Sequence, residues 1–242
     1  MFSILRKEIN SFLNSLIAYI VIGVFLVVTG LYMWFFPQSN VLDYGYADLQ
    51  PLFSIAPWVF LFLIPAITMR SFAEERKAGT IELLLTRPLT DLQIILGKYF
   101  ACLLLVIFAL LPTLIYYMSV YYLGDPEGNI DSAGVTGSYI GLIFLAAVFT
   151  SIGIFASSIS KDQIISFIVA VLLCFVVYTG FDMLASINVW GTLSYFISYL
   201  GIQFHYETIS KGLIDSRDVL YFVSVSALMI LATKLVLESR KW

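Results

Sequence analysis

Six long apolar runs constrain the fold of this chain more than any other feature of its sequence. The first run, Leu16 to Phe36, carries no charge, and its length of about 20 residues is enough to cross the hydrocarbon core of a bilayer. Only 12% of the residues are charged, about half the fraction expected of a soluble domain. We therefore predict an all-α integral membrane protein with a single transmembrane domain over residues 1–242, whose spans are 16–36, 56–73, 99–123, 137–158, 164–181 and 219–237.

The first 14 residues form an amphipathic pattern ahead of the first span. Their apolar side chains share one helical face, whereas Arg6, Lys7 and Glu8 lie mostly off that face. This pattern predicts a helix that lies in the membrane interface. The apolar run that follows is too long for a signal-peptide core and has no small-x-small cleavage site, so we expect it to be retained.

The basic residues predict the orientation. Six spans place both termini on one side of the membrane, and eleven of the thirteen lysines and arginines fall on that side. Lys211 and Arg217 fall on the other side. Because positive charge is retained in the cytoplasm, we predict that both termini and the segment 70–98 are cytoplasmic, and that residues 182–217 form an external segment.

The cytoplasmic segment Arg70–Lys98 is the one long polar passage between two apolar runs. Gly79 can adopt the left-handed conformation that ends a helix, and Thr80 can cap a new one. The new helix would run from Ile81 to about Thr86 and stop before Pro88, which has no N–H group. The pattern predicts two long helices joined by a short amphipathic one.

Further residues suggest where helices begin or bend. Thr90 and Gln93 match a capping box that would open the third span. Pro57 suits the first turn of the second span. Pro65 and Pro112 lie inside spans, where we expect each to kink its helix.

Two other patterns leave alternatives open. Small residues from Gly137 to Ser157 recur at the spacing that allows close helix contact, which favours ordinary packing within the chain over a contact with another subunit. In the external segment, apolar residues from Trp190 to Phe204 recur at helical spacing and predict one or two short interfacial helices before span six. Nine tyrosines near or beyond the outer face indicate an interfacial belt or, alternatively, an aromatic vestibule for an exported substrate.

Sites for chemistry are scarce in this sequence. Asp182 and Lys234 are the exceptional charges in the spans, and both lie near span ends, which argues against ion-coupled transport and intramembrane hydrolysis. We expect His205 to be a surface or interface side chain, and Cys102 and Cys174 to be small buried side chains. We predict no catalytic, cofactor or metal site, no bound nucleic acid, and no nucleotide cradle, because no phosphate-loop motif is present.

These features suggest a membrane subunit that is driven by a separate soluble protein. The block Pro65–Tyr99 resembles the hallmark segment of the ABC type-2 transporter permeases, in which an acidic pair is followed by Gly-Thr, Glu-Leu-Leu, Pro and Gly-Lys. The matching residues are Glu74, Glu75, Gly79, Thr80, Glu82, Leu83, Leu84, Pro88, Gly97 and Lys98. A second segment, Ile209–Phe222, resembles another recurring stretch of that family.

The resemblance implies a mechanism. Segment 70–98 would carry a coupling helix that docks on a cytoplasmic ABC ATPase, which would hold ATP and Mg. A second permease subunit, identical or related, would complete the complex in a bacterial inner membrane. The residues expected to couple to the ATPase are Glu74, Glu75, Gly79, Thr80, Glu82, Leu84, Leu85 and Pro88. If the family resemblance is set aside, residues 74–77 are interpreted as a solvated helix end with local ion pairs such as Glu74–Lys77.

A narrower resemblance concerns physiology. Three stretches resemble the ABC permeases of gliding motility, namely GYADLQPLF from Gly45, GNIDSAGVTGSYIGL from Gly128 and TSIGIFASSIS from Thr150. We therefore expect an export permease that serves gliding motility or secretion of a surface component. The alternative is a structural membrane anchor that recruits an ATPase to an envelope machine and transports nothing. A membrane enzyme is disfavoured, because no catalytic constellation is visible.

Overall fold

A computed structural model describes residues 1–37, 39–80, 89–187, 191 and 193–239. These residues form helices and turns, with no strand among them. Within this part of the chain, six helical segments are long and apolar enough to cross a membrane: Leu16–Trp34, Gln50–Lys77, Asp91–Leu123, Ser132–Ile159, Gln163–Ala185 and Ser216–Glu238. The predicted all-α fold with six candidate spans is confirmed.

Breaks divide several of these segments into shorter helices. In the first half of the chain the helices are α1 (Phe2–Leu13), α2 (Leu16–Trp34), α3 (Val41–Tyr44), α4 (Gln50–Thr68), α5 (Arg70–Lys77), α6 (Asp91–Leu110) and α7 (Leu114–Leu123). In the second half they are α8 (Ser132–Ile159), α9 (Gln163–Phe175), α10 (Phe181–Ala185), α11 (Leu193–Tyr199), α12 (Ile202–Ser210) and α13 (Ser216–Glu238).

Helix α8 lies at the centre of the bundle and packs against α4, α6, α9, α12 and α13. Small residues allow these close approaches. A β-carbon at Gly153 would overlap Thr68 of α4, and one at Gly137 would lie 2.8 Å from the Cα of Gly212. The small residues therefore serve packing within the chain, as the sequence favoured.

The prolines occupy different local structures. Pro112 lies in a 3₁₀ turn, Leu111–Thr113, that separates α6 from α7. Helix α4 stays helical through Pro65 and breaks at Met69. The prediction for Pro57 was wrong, because α4 begins at Gln50 and Pro57 lies in its interior.

The segment that the sequence predicts to be external, between the fifth and sixth candidate spans, folds back onto the bundle. Helix α12 buries Ile202, Tyr206 and Ile209 against its neighbours, whereas α11 leaves Leu193 exposed. Trp190 lies outside the described residues. The fifth span also departs from a regular α-helix, because a π-helical turn at Val176–Gly180 joins α9 to α10.

For His205 the sequence left a surface or an interface position open, and the structure contradicts the surface position. Its side chain is only 1% exposed and lies between α12 and α13, not at the surface. Its Nδ1 is 2.6 Å from Asp218 Oδ1, its Nε2 is 2.8 Å from the Tyr199 carbonyl oxygen, and its ring stacks on Tyr221 at 3.9 Å. The sequence placed His205 in a polar external stretch and did not show that α12 packs against the start of α13.

Candidate coupling site

The short helix α5 is fixed at its beginning by a serine of the central helix. Ser157 Oγ accepts hydrogen bonds from the amides of Phe72 (2.9 Å) and Ala73 (3.1 Å), and it donates one to the Met69 carbonyl (3.0 Å). The first amides of a helix have no acceptor within that helix. The Ser157 side chain of α8 therefore caps α5 and also bonds the Met69 carbonyl, which lies at the break between α4 and α5.

The end of α5 forms the helix stop that the sequence predicted. Gly79 has a φ of 67°, and its amide donates to the Arg76 carbonyl at 3.2 Å. The amide of Thr80 donates to the Glu75 carbonyl at 2.9 Å. These two bonds form a Schellman motif, in which the left-handed residue is usually glycine because a side chain there is strained.

A buried lysine joins α5 to two other helices. Lys98 of α6 is only 2% exposed, and its Nζ lies 2.9 Å from Glu8 Oε1 of α1 and 2.9 Å from Glu75 Oε1 of α5. Lys7 adds a contact of 3.3 Å to the same oxygen of Glu75. A buried charge is costly unless it is paired, so this cluster fixes α1, α5 and α6 to one another.

The residue before Lys98 allows α1 to approach α6. A β-carbon at Gly97 would lie 3.0 Å from Ile4 Cβ, so α1 crosses α6 where a side chain is absent. The remaining apolar residues of α1 include Phe2 and Leu13, which are exposed. This arrangement leaves an apolar face of α1 free for the membrane interface.

Two further ion pairs connect α5 to its surroundings. Arg70 Nε lies 2.9 Å from Glu74 Oε2, and Lys77 Nζ lies 3.2 Å from Asp162 Oδ2. The Glu74–Lys77 pair expected from the sequence is therefore replaced by pairs with other residues. Lys77 bonds to Asp162 because α5 ends beside the start of α9, a neighbour that local spacing could not reveal.

Asp162 has a second role at the start of the fifth span. Its Oδ1 accepts a hydrogen bond of 2.8 Å from the Ile164 amide, so it caps α9. The Ile164 amide and the Lys77 ammonium hold the pKa of Asp162 below its usual value, because both stabilise the ionised carboxylate. The first span is also connected to α5, since Arg70 Nη1 donates to Ser15 Oγ, the cap of α2, at 3.2 Å.

Comparison with known proteins decides the family. A family model described as ABC-2 family transporter protein matches residues 2–237. The chain belongs to the ABC-2 transporter family. It is therefore a membrane permease subunit of an ABC complex, and the family implies partnership with an ABC ATPase. No curated protein matches the chain.

The ABC-2 permease places its predicted coupling residues in two groups. Glu74, Glu75, Gly79 and Thr80 lie together on α5 and its C-terminal turn. The other predicted residues, Glu82, Leu84, Leu85 and Pro88, lie outside the described residues. The predicted capping box, which follows these residues in the chain, is confirmed. Both Thr90–Gln93 hydrogen bonds are present at 3.3 Å at the start of α6.

Sequence reasoning missed several residues that hold α5 in this permease. Glu8 and Ser157 were read as parts of an interfacial helix and a packing motif, and Asp162 was not singled out. Of these residues only Asp162 had a recognisable sequence signal, because an aspartate directly before an apolar run is a common helix cap. Ser157 and Asp162 bond residues of α5 that lie 84 or 85 positions earlier in the sequence, and Glu8 reaches α5 through Lys98, which lies 90 positions later, so only the fold brings them together.

Proposed function

We propose that this ABC-2 permease is the transmembrane part of an export complex in which α5 transmits ATP-driven movement to the membrane spans. One observation carries the proposal. Helix α5 has only eight residues, yet its side chains and amides contact residues at one end of four spans: Ser15, Lys98, Ser157 and Asp162.

The contacts of α5 suit it to transmit force. Both of its ends contact other helices, one through the Ser157 cap and the other through the Lys77–Asp162 ion pair. Because the contacts at its flanks are ion pairs and hydrogen bonds, α5 moves as one unit with α1 and the ends of the neighbouring spans. The break at Met69 separates that unit from α4, so α5 can turn relative to the second span.

The residues that follow α5 would meet the ATPase. By resemblance to the family, Glu82, Leu84, Leu85 and Pro88 would occupy a groove on the nucleotide-binding subunit, which holds ATP and Mg. A second permease subunit would complete the pathway. The distribution of lysine and arginine supports cytoplasmic termini and a bacterial inner-membrane location. The proposed cargo is a surface component, and gliding motility is the proposed process.

The test measures both partner recovery and coupling. We would purify the tagged permease from its own membranes and measure the stoichiometry of the Walker-motif ATPase that accompanies it, and then its ATP hydrolysis. Leu84→Asp should reduce ATPase recovery or coupled hydrolysis while membrane insertion is unchanged. Leu213→Asp, an exposed residue after α12 at the opposite end of the protein, is the matched control and should behave like the parent.

Three results would count against the proposal. Recovery of the parent permease without any ATPase, repeated after crosslinking, would remove the basis for an ATP-driven role. Recovery of an ATPase whose hydrolysis never responds to any candidate cargo would favour the structural anchor. Equal behaviour of Leu84→Asp and the parent would exclude residues 81–88 as the docking segment.

A further inference from the structure

We propose that His205 and Asp218 form a proton-dependent latch, which holds the helix pair α10–α11 onto the bundle and releases it when the pH rises. The two residues join α12 to the start of α13, between the fifth and sixth candidate spans. The latch is independent of the coupling role of α5 and of any ATPase.

Both ring nitrogens of His205 face hydrogen-bond acceptors. Nε2 lies 2.8 Å from the Tyr199 carbonyl oxygen, which can only accept, so this nitrogen carries a proton. Nδ1 lies 2.6 Å from Asp218 Oδ1, and a proton must lie between these atoms because a nitrogen lone pair and a carboxylate repel each other. A neutral imidazole carries a single proton. The pair therefore holds one proton more than a neutral imidazole and a carboxylate do together, as an imidazolium bonded to a carboxylate.

Burial makes this pair depend on its proton. The side chains of His205 and Asp218 are only 1% and 7% exposed. Asp218 Oδ2 is buried and has no hydrogen-bond partner among the described residues, so the imidazolium is the counter-charge of this carboxylate. Loss of the proton would leave a buried carboxylate facing a neutral lone pair, an arrangement that water cannot relieve while the site stays closed. Deprotonation therefore breaks the contact.

The contact holds the end of α11. Tyr199, whose carbonyl bonds His205, is the last residue of α11, and the next carbonyl, that of Leu200, accepts a hydrogen bond of 2.6 Å from the Tyr221 hydroxyl. The Tyr221 ring in turn stacks on His205 at 3.9 Å. Helices α10 and α11 pack on each other, and neither contains a buried residue. Because few apolar contacts hold this pair of helices, its attachment rests on the polar contacts at the end of α11.

The side-chain types around the latch leave imidazole as the group that titrates near neutral pH. The other ionisable residues on α12, on the elements packed against it and at their flanks are Tyr139, Tyr178, Asp182, Tyr195, Tyr199, Glu207, Lys211, Asp215, Arg217 and Tyr221, with Lys234 and Glu238 at the far end of α13. Carboxyl groups ordinarily titrate near about pH 4 and phenols and amines near about pH 10, whereas imidazole ordinarily changes its charge between about pH 5 and pH 8.

The number of bound protons gives the direction of the pH effect. Above the ordinary range of imidazole, the closed latch holds one proton that the open one has lost, so opening becomes more favourable as the pH rises. One proton corresponds to a rise of about tenfold in the opening constant for each pH unit. The latch is therefore closed in mildly acid solution and releases α11 in alkaline solution.

The test measures the distance from α11 to α13 by double electron–electron resonance on the full chain in lipid nanodiscs. Spin labels are attached at Phe196→Cys and Leu220→Cys, two well-exposed positions, while the native Cys102 and Cys174 are buried. Distances are compared from about pH 6 to about pH 9, below the ordinary range of tyrosine. A second sample contains isotopically labelled histidine and has no polyhistidine tag. Nitrogen magnetic resonance then reports one imidazole, because His205 is the single histidine of the chain.

In the parent we expect protons on both ring nitrogens and a narrow distance distribution at about pH 6. As the pH rises to about 9, one nitrogen should lose its proton and the distance distribution should broaden and lengthen. The control label pair, Leu213→Cys with Leu220→Cys, lies outside α11 on exposed positions and should keep its distance at every pH.

Asp218→Asn separates the latch from a merely structural contact. Its side-chain amide can donate to the unprotonated Nδ1 while Nε2 still donates to the Tyr199 carbonyl, so α11 should stay attached at about pH 9. Arg217→Gln removes the exposed charge next to Asp218 without touching the pair. This matched control should release α11 over the same pH range as the parent.

Four results would overturn the proposal. The first is a distance from α11 to α13 that is the same at about pH 6 and about pH 9. The second is an unprotonated ring nitrogen at about pH 6. The third is an equal alkaline release in Asp218→Asn and the parent, which would assign the titration to another group. The fourth is an equal change in the control label pair, which would indicate general unfolding.

Discussion

Replacing Lys98 by methionine should detach α1 from the end of the bundle at which α5 lies. Lys98 is buried and bonds both Glu8 and Glu75 at 2.9 Å, whereas the exposed Lys7 lies 3.5 Å and 3.3 Å from the same two carboxylates. Methionine fills a similar volume but leaves the two carboxylates with only the exposed Lys7 as a shared partner. We therefore expect this single change to destabilise the protein, because its buried pair of negative charges loses the cation that lies between them.

The structure sets the size of the effect. Removing one member of a buried ion pair costs about 3–5 kcal/mol. Glu8 and Glu75 remain 13% and 14% exposed, so water screens part of their repulsion, and we expect about 3 kcal/mol. For a chain of this length, that corresponds to a fall in Tm of about 6–12 °C. Neutralising the whole cluster with Glu8→Gln, Glu75→Gln and Lys98→Met together should restore most of the loss.

The assay combines thermal unfolding with chemical accessibility. Tm is measured in detergent by size-exclusion chromatography after heating. The position of α1 is followed by maleimide labelling of Ile4→Cys, a site that is buried against α6 in the parent. Background labelling should be low, because the native Cys102 and Cys174 are buried. We expect Lys98→Met to accelerate labelling at position 4.

A matched lysine distinguishes this effect from the general loss of a charge. Lys234 pairs with Glu238 at 3.5 Å on α13, but both side chains are well exposed. An exposed pair contributes little to stability, so Lys234→Met should leave Tm almost unchanged. If Lys98→Met lowers Tm no more than Lys234→Met, and Ile4→Cys stays protected, the cluster does not hold α1 and the reasoning fails.

Three other substitutions test the remaining contacts of α5. Ser157→Ala leaves two amides of α5 without an acceptor and should lower the free energy of unfolding by about 1–3 kcal/mol, measured by thermal unfolding. The control is Ser158→Ala, which should cost less, because the Ser158 hydroxyl bonds only within its own helix. Equal losses of stability in the two variants would contradict the capping role of Ser157. Asp162→Asn keeps a capping oxygen but removes the ion pair, so cargo-dependent ATP hydrolysis should fall while Tm changes little. Because the pKa of Asp162 is held below its ordinary 3.8, its charge should support this contact at pH values above 3.8 and be lost only as the pH falls through the lowered value. Gly79→Val forces a β-branched residue into the left-handed region and should reduce the recovery of the ATPase on purification. Gly23→Val, in open space on α2, is the control and should not reduce it. Equal recovery of the ATPase with both variants would mean that the Gly79 turn does not position the docking segment.

The sequence by itself determined the features that depend on neighbouring residues. Apolar runs of sufficient length predicted the six spans, since every backbone group in lipid must be bonded within its own helix. The Gly79 turn and the Thr90–Gln93 capping box were also predictable, because each involves residues only a few positions apart. Residues 81–88 stay predictions of the family resemblance.

The tertiary structure alone decided which residues hold α5. Lys98 bonds a glutamate 90 positions earlier, and Ser157 caps a helix about 85 positions earlier. His205, expected at the surface or at an interface, is buried against Asp218. The pattern of apolar and polar residues along each helix fixes which face is buried, but it does not specify the neighbouring helix. The polar partners of this protein were therefore set by how its helices pack together, because the burial of a lysine, a serine or a histidine is tolerated only where another element supplies the matching group.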